Sequence, residues 1–272
     1  MYQKQTILYK ISFCALFTSL TIILSRFFSI PGLFGLPFLK ISFANSVVLF
    51  ASFYLGPIWG MVVGGLSDTL GAILFPQGGA YNPIFTIPAL LTGLFPYLFY
   101  KLFHKIKIDK KFPISLSALL ILFSTFVTIM LALNDDILSG KRVYHFSLEM
   151  KIALISLSFG LSIIYIIGAF FIKNKFKNSK LNNNFDIYGL ISAMFFTYMV
   201  IKNPISSIIS SFILNYDFLF ILFTKLLTGF FTCLVHSMIV MVLLNISLLF
   251  KTNSAINEKY SLGRKNDKEK SC

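Results

Sequence analysis

Long apolar runs separated by short polar breaks dominate this chain. They recur at about 7–28, 41–55, 58–75, 85–103, 114–133, 151–172, from 187 to at least 200, and within 218–250. A helix needs about 20 mainly apolar residues to cross a bilayer, and most of these runs approach that length. The run at 41–55 is short, and Gly56-Pro57 after it is a turn signal. The last run exceeds one crossing and is expected to tilt, bend or emerge. Lys202-Asn203-Pro204 interrupts the run that begins near 187, so 205–214 reads as its continuation or as a re-entrant piece. Beyond 251 the chain is polar and charged and reads as a disordered tail. No heptad, fixed-period repeat or Pro- or Gln-rich tract is present. The pattern predicts an all-α, polytopic membrane bundle of about eight spans.

Composition agrees. Hydrophobic residues make up 56% of the 272 positions, charged residues 12%, and Phe alone contributes 32. So few charges exclude an ordinary soluble enzyme, a disordered chain and a nucleic-acid-binding module. The first run is long enough to span and lacks a small-residue cleavage site after it, so it reads as a retained helix.

The net charge of +14 is unevenly placed. If the N-terminus is cytoplasmic, the inner segments include 101–111, with five Lys, and 173–180, with four. The outer segments 29–40, 76–83, 134–149 and 202–217 hold Lys40, Lys141, Arg142 and Lys202. Basic residues collect on the cytoplasmic side. Both termini are therefore expected inside the cell membrane, with the polar loops outside.

No catalytic constellation is visible. There is no phosphate-cradling GxxxxGK[ST] and no HExxH. Cys14, Cys233 and Cys272 are far apart with no CxxC, so neither a metal nor a disulfide is expected, and no cofactor is implied. His236 lies within the last run and reads either as a hydrogen-bonding structural residue or as a functional one. Asp68, in Gly64-Gly65-Leu66-Ser67-Asp68-Thr69-Leu70-Gly71, is the single acid in the first four spans. A carboxylate there is costly unless it is paired or lines a cavity. It reads as a salt bridge to Arg26 or Lys225, or as a ligand contact that accepts paired hydrogen bonds from an amino-substituted nitrogen ring. Arg26, Lys40 and Lys225 lie toward the outer face. Each could snorkel to headgroups, or together they could hold an anionic ligand. Gly56, Gly60 and Gly64 form a small-residue stripe suited to close helix packing, and Ala15 and Ser19 form another. The loop at 76–83 reads as a bare turn or as a cover whose Gln77, Tyr81 and Asn82 stand beside an opening.

Taken in order, several segments carry a resemblance. They are Leu24-Ser25-Arg26-Phe27-Phe28-Ser29-Ile30, Leu39-Lys40-Ile41-Ser42-Phe43, Leu55-Gly56-Pro57-Ile58-Trp59-Gly60, Gly65-Leu66-Ser67-Asp68, Leu91-Thr92-Gly93-Leu94, and the run from Phe75 through Gly78-Gly79-Ala80-Tyr81-Asn82-Pro83 to Thr86. Over roughly 7–103 the chain resembles the substrate-binding S component of energy-coupling factor (ECF) vitamin transporters, folate type. The resemblance implies a six-helix membrane protein that captures a vitamin outside and hydrolyses nothing itself. It implies docking through an AxxxA-type face of the first helix onto a transmembrane coupling protein with two ATP-binding cassette ATPases, followed by inward delivery. It also implies that Arg26 and Lys40 face glutamate carboxylates, that Asp68 faces the pteridine amino edge, and that Tyr81, Phe85 and Thr86 line or cover the pocket. Lys202, Asn203, Tyr216 and Lys225 are further candidates in the less similar C-terminal half.

Three features depart from the family pattern: Ser19 replaces the second alanine of the docking face, Ile84 replaces a glycine, and the chain is longer. The expected division is core helices in 1–103, an inserted two-helix hairpin with basic connectors in 104–184, core helices in 185–250 and a tail in 251–272. Competing readings keep the fold but change the vitamin to riboflavin, thiamine or a queuosine precursor. Others make the chain a lipid-modifying membrane enzyme or a self-sufficient carrier. The enzyme would need clustered His, Asp or Glu, and the carrier internal symmetry; neither is evident.

Overall fold

A computed structural model describes residues 6–31, 40–76, 81–105, 136–139, 142–145, 148–177 and 185–269, with 125, 129 and 179. Helices α1 (Ile7–Arg26), α2 (Ala44–Leu55), α3 (Pro57–Leu74) and α4 (Thr86–Lys105) form the first half. Helix α5 (Leu148–Phe176) follows, then α6 (Ile187–Phe196), α7 (Asn203–Leu214) and α8 (Phe218–Glu269). Two short antiparallel hairpins punctuate them: β1 (Ser29–Pro31) with β2 (Lys40–Ser42), and β3 (Asp136–Ser139) with β4 (Arg142–His145). The architecture is an all-α membrane bundle. Five described helical segments are long and apolar enough to span, and α2 is a shorter apolar helix. The expected span at 114–133 lies outside the described residues.

The backbone around α3 shows why glycine recurs there. Gly56 adopts φ 107°, a left-handed conformation that costs glycine little, and Pro57 opens the first turn of α3. The chain thus reverses from α2 into α3 in one residue. A Cβ on Gly60 would lie 2.6 Å from Ser52 Cα and 2.5 Å from the Gly93 carbonyl oxygen. A Cβ on Gly93 would strike the Gly60 backbone, and one on Gly64 the Ala89 carbonyl. The glycine stripe is therefore a packing surface, in which α3 lies backbone to backbone against α2 and α4.

The second half packs differently. Ser158, Ser162, Tyr165, Ala169, Ile172 and Phe176 are buried on one face of α5, at alternating spacings of four and three. Tyr165 packs its ring tilted against Phe195 and edge-on to Phe230, and its hydroxyl lies 3.6 Å from Cys233 Sγ. Gly168 admits Leu234 of α8. The other face of α5, with Ile163, Ile167 and Phe171, is exposed, as a lipid-facing surface should be.

Of the two readings of 205–214, the structure shows continuation, because Lys202-Asn203-Pro204 does not break the seventh helical run. A π-helical segment, Thr197–Lys202, joins α6 to α7, and Pro204 falls in the first turn of α7. Proline lacks an N–H and crowds the carbonyl four residues before it. The wider π turn accommodates that mismatch, so the helix continues. The tail read as disordered is helical to Glu269, because α8 extends through it. No proline lies in 251–269, and extending a helix already nucleated by packing costs little.

Candidate functional site

Asp68 sits in the second half of α3, half-buried against the start of α4. Asn82 prepares that start. Its Oδ1 accepts from the Ile84 amide at 3.1 Å and caps the 3-10 turn Pro83–Phe85 that leads into α4. The turn delivers Thr86, 7% exposed, to Asp68, where Thr86 Oγ1 donates to Asp68 Oδ2 at 2.9 Å. Tyr81 Oη lies 2.5 Å from Thr86 Oγ1. Because the Thr86 proton goes to the carboxylate, its lone pair takes the Tyr81 proton. A directed chain of hydroxyls thus ends on an anion. The Arg26 guanidinium lies over Gly71, one turn beyond Asp68, where a Cβ would meet Nε at 3.1 Å and Nη2 at 3.3 Å. Asp68 acts electrostatically on this arginine. Both readings of Asp68 therefore find partners: a cation and a chain of hydroxyls attend the same carboxylate.

A second polar cluster lies on α7 and α8. Lys225 Nζ donates to Ser206 O at 3.0 Å, Ser206 Oγ at 2.6 Å and Ser210 Oγ at 2.9 Å. Asn203 Nδ2 donates to the Lys225 carbonyl at 3.1 Å. Lys202, the last residue of the π segment, holds its Nζ 4.5 Å from the centre of the Tyr198 ring. The two ammonium groups feel each other. Tyr198 Oη lies 2.6 Å from His236 Nδ1, and His236 Nε2 lies 2.9 Å from the Ser42 carbonyl oxygen. Since that oxygen only accepts, the proton sits on Nε2 and Tyr198 donates to Nδ1. His236 is thus a fully satisfied buried histidine. The two clusters are neighbours, because the Pro83–Phe85 turn packs on α7 and α4 packs on the π segment.

The remaining candidates distribute as follows. The backbone of Lys40 pairs with Pro31 in the β1–β2 ladder. Gln77 lies outside the described residues. Phe85 is 36% exposed in the 3-10 turn, beside the Asp68 cluster. Ala15 and Ser19 are exposed on α1, and Ser19 Oγ folds back onto the Ala15 carbonyl at 2.9 Å. Cys14 and Cys233 are free and buried. Among the described residues, no group of three or more His, Cys, Asp or Glu could hold a metal ion.

A family model described as the S component of an ECF-type riboflavin transporter matches residues 5–162, more than half of the chain. The chain belongs to the ECF-type S components. A relative, the folate transporter FolT of Clostridium novyi (strain NT), is 31% identical over 132 residues, which is 48% of this chain and 70% of that protein. No solved structure matches the chain. An S component is the substrate-binding part of a transporter, not an enzyme, and this one is a multi-pass membrane protein.

In this S component, Asp68 stands out as a lone acid in the first four spans, and the family resemblance sets Tyr81 and Thr86 beside the same pocket. Sequence reasoning did not find Tyr198, Ser206 and Ser210. Aromatic and serine residues within an apolar run carry no signal until a cation is placed against them. The one available hint was two lysines, Lys202 and Lys225, in otherwise apolar segments.

Proposed function

We propose that this S component binds folate, or a close relative with carboxylates and an amino-substituted ring, at the outer face of the cell membrane. It then delivers the vitamin inward when docked to a transmembrane coupling protein driven by two ATP-binding cassette ATPases. The observation that carries this reading is the opposite polarity of two adjoining clusters. Asp68, with Thr86 and Tyr81, presents acceptor chemistry suited to the paired N–H groups of an aminopteridine edge. Lys225 and Lys202 present two ammonium groups suited to the carboxylates of a glutamate tail. Arg26, which the resemblance aims at a carboxylate, shares the Asp68 end instead, so in this reading the carboxylates go to the lysines. A ligand carboxylate would replace serine hydroxyls on a Lys225 ammonium that α7 already orients. Tyr81, Asn82 and Phe85 lie around the turn that precedes Thr86, while the exposed small residues Ala15 and Ser19 suit close approach of a partner helix. In this reading both termini lie in the cytoplasm, an orientation that the lysine-rich segments support.

Riboflavin is the second reading, because the matching family model carries that name. Riboflavin has no carboxylate, and bound beside Lys202 and Lys225 it would leave two half-buried cations without a complementary charge. Calorimetry on the purified chain decides between them, with folate and 5-formyltetrahydrofolate as ligands and riboflavin and thiamine as controls. Tight folate binding that is lost in Asp68→Ala and Lys225→Ala is the expected result. Riboflavin binding with no response to folate would overturn the assignment.

A further inference from the structure

Lys202 is held by an arrangement that needs a reason. A long, flexible ammonium stem in the π segment would ordinarily sample several directions. Here it lies over the face of Tyr198, four residues earlier on the same helical run. Attraction between a cation and the ring quadrupole is directional and strengthens away from water. Tyr198 itself is immobilised. It is 2% exposed, its hydroxyl is engaged by His236 Nδ1, and its ring lies 5.4 Å from the imidazole at an interplanar angle of 30°. His236, 3% exposed, is fixed in turn from its other side by the Ser42 carbonyl at the end of β2. The relay therefore runs from the β1–β2 hairpin through α8 to the π segment and ends at an ammonium group. Packing alone would be served by a phenylalanine and a leucine here. What the polar pair adds is one fixed orientation of one aromatic ring.

We infer that Tyr198 and His236 are positioning residues for substrate selectivity, which hold the Lys202 ammonium where it and Lys225 together receive a dianionic ligand. The inference rests on the reading of the lysines as a carboxylate receptor. It predicts that disturbing the relay costs affinity for charged ligands and spares neutral ones. A purely structural role would weaken both alike.

The test is calorimetry on the full chain in detergent with two probes: folate, and its dimethyl ester, which keeps the ring system but carries no carboxylate charge. Tyr198→Phe keeps the ring under Lys202 but removes the hydroxyl that fixes it. His236→Ala removes the anchor. His236→Asn retains an acceptor near the Nδ1 position, whereas His236→Gln retains a donor near Nε2. Tyr198→Phe and His236→Ala are each expected to weaken folate about tenfold and to leave the ester within about twofold. His236→Asn recovers most of the folate affinity and His236→Gln does not. Adding His236→Ala to Lys202→Ala costs nothing further, because both changes remove one interaction. Equal losses for folate and ester, or additive losses in the double variant, would overturn the inference and leave the carboxylate receptor standing. Wild-type chain that fails to bind folate would overturn both. Size-exclusion profiles screen each variant for folding; should His236→Ala misfold, Tyr198→Phe and His236→Asn carry the same comparison.

Discussion

The Asp68 cluster and the lysine cluster are neighbours built on opposite plans. Around Asp68 the backbone sets the geometry. Gly60, Gly64 and Gly93 bring α3 and α4 into direct main-chain contact, and the capped Pro83–Phe85 turn delivers Thr86 to the carboxylate. Little there can shift without moving a helix. Around Lys202 and Lys225 the side chains set the geometry. Two serines, an asparagine, a tyrosine and a histidine span the gaps between β2, the π segment, α7 and α8. A backbone-defined pocket suits a flat, rigid ring. A side-chain-defined pocket suits a flexible, charged tail, because its donors can follow the ligand. The difference assigns rigidity to one end of the proposed substrate and adaptability to the other.

The most severe way to break that contrast is Gly93→Val. Its side chain would have to occupy the Gly60 backbone, so the chain is expected to lose its folded, monodisperse profile on size exclusion. Lys225→Ala should fold normally yet lose about a hundredfold in folate affinity by calorimetry, since a half-buried charge-assisted contact contributes up to roughly 3 kcal/mol. Asp68→Asn keeps the shape and removes the charge. It should weaken folate by about tenfold to a hundredfold and should weaken the dimethyl ester equally, because the ring end is unchanged in both ligands. Thr86→Val removes the hydroxyl that donates to Asp68 Oδ2, and a loss of about tenfold follows. Tyr81→Phe removes the outermost hydroxyl of the chain and should cost about threefold, at the edge of what titration resolves. If instead Asp68→Asn spared the ester, the assignment of the two ends would be reversed.

How much of this was legible in the sequence follows the same division. The helices of the first half, the turn at Gly56-Pro57 and the lone acid Asp68 are read from local patterns, whereas Thr86 joins them only through the family resemblance. The second half hides its logic in distance. His236 meets Tyr198 across 38 residues and Ser42 across 194, and no spacing rule connects such positions. Pro204 leaves two readings open for a different reason. Proline argues for a break in isolation, and only the π segment before it shows how the helix continues. The helical continuation to Glu269 is equally invisible, since its composition is that of a solvated tail.

The π segment has one more consequence, which concerns phase. An α-helix turns by about 100° per residue, so a segment that accommodates a residue in excess of the α repeat rotates everything after it by about that angle. Ser206, Ser210 and Asn203 face α8 only in the rotated register. Deleting a single residue within Thr197–Lys202 would remove that excess, leave composition and hydropathy almost untouched, and swing all three away from Lys225. The cation receptor is thus written as a count of residues as much as a choice of them.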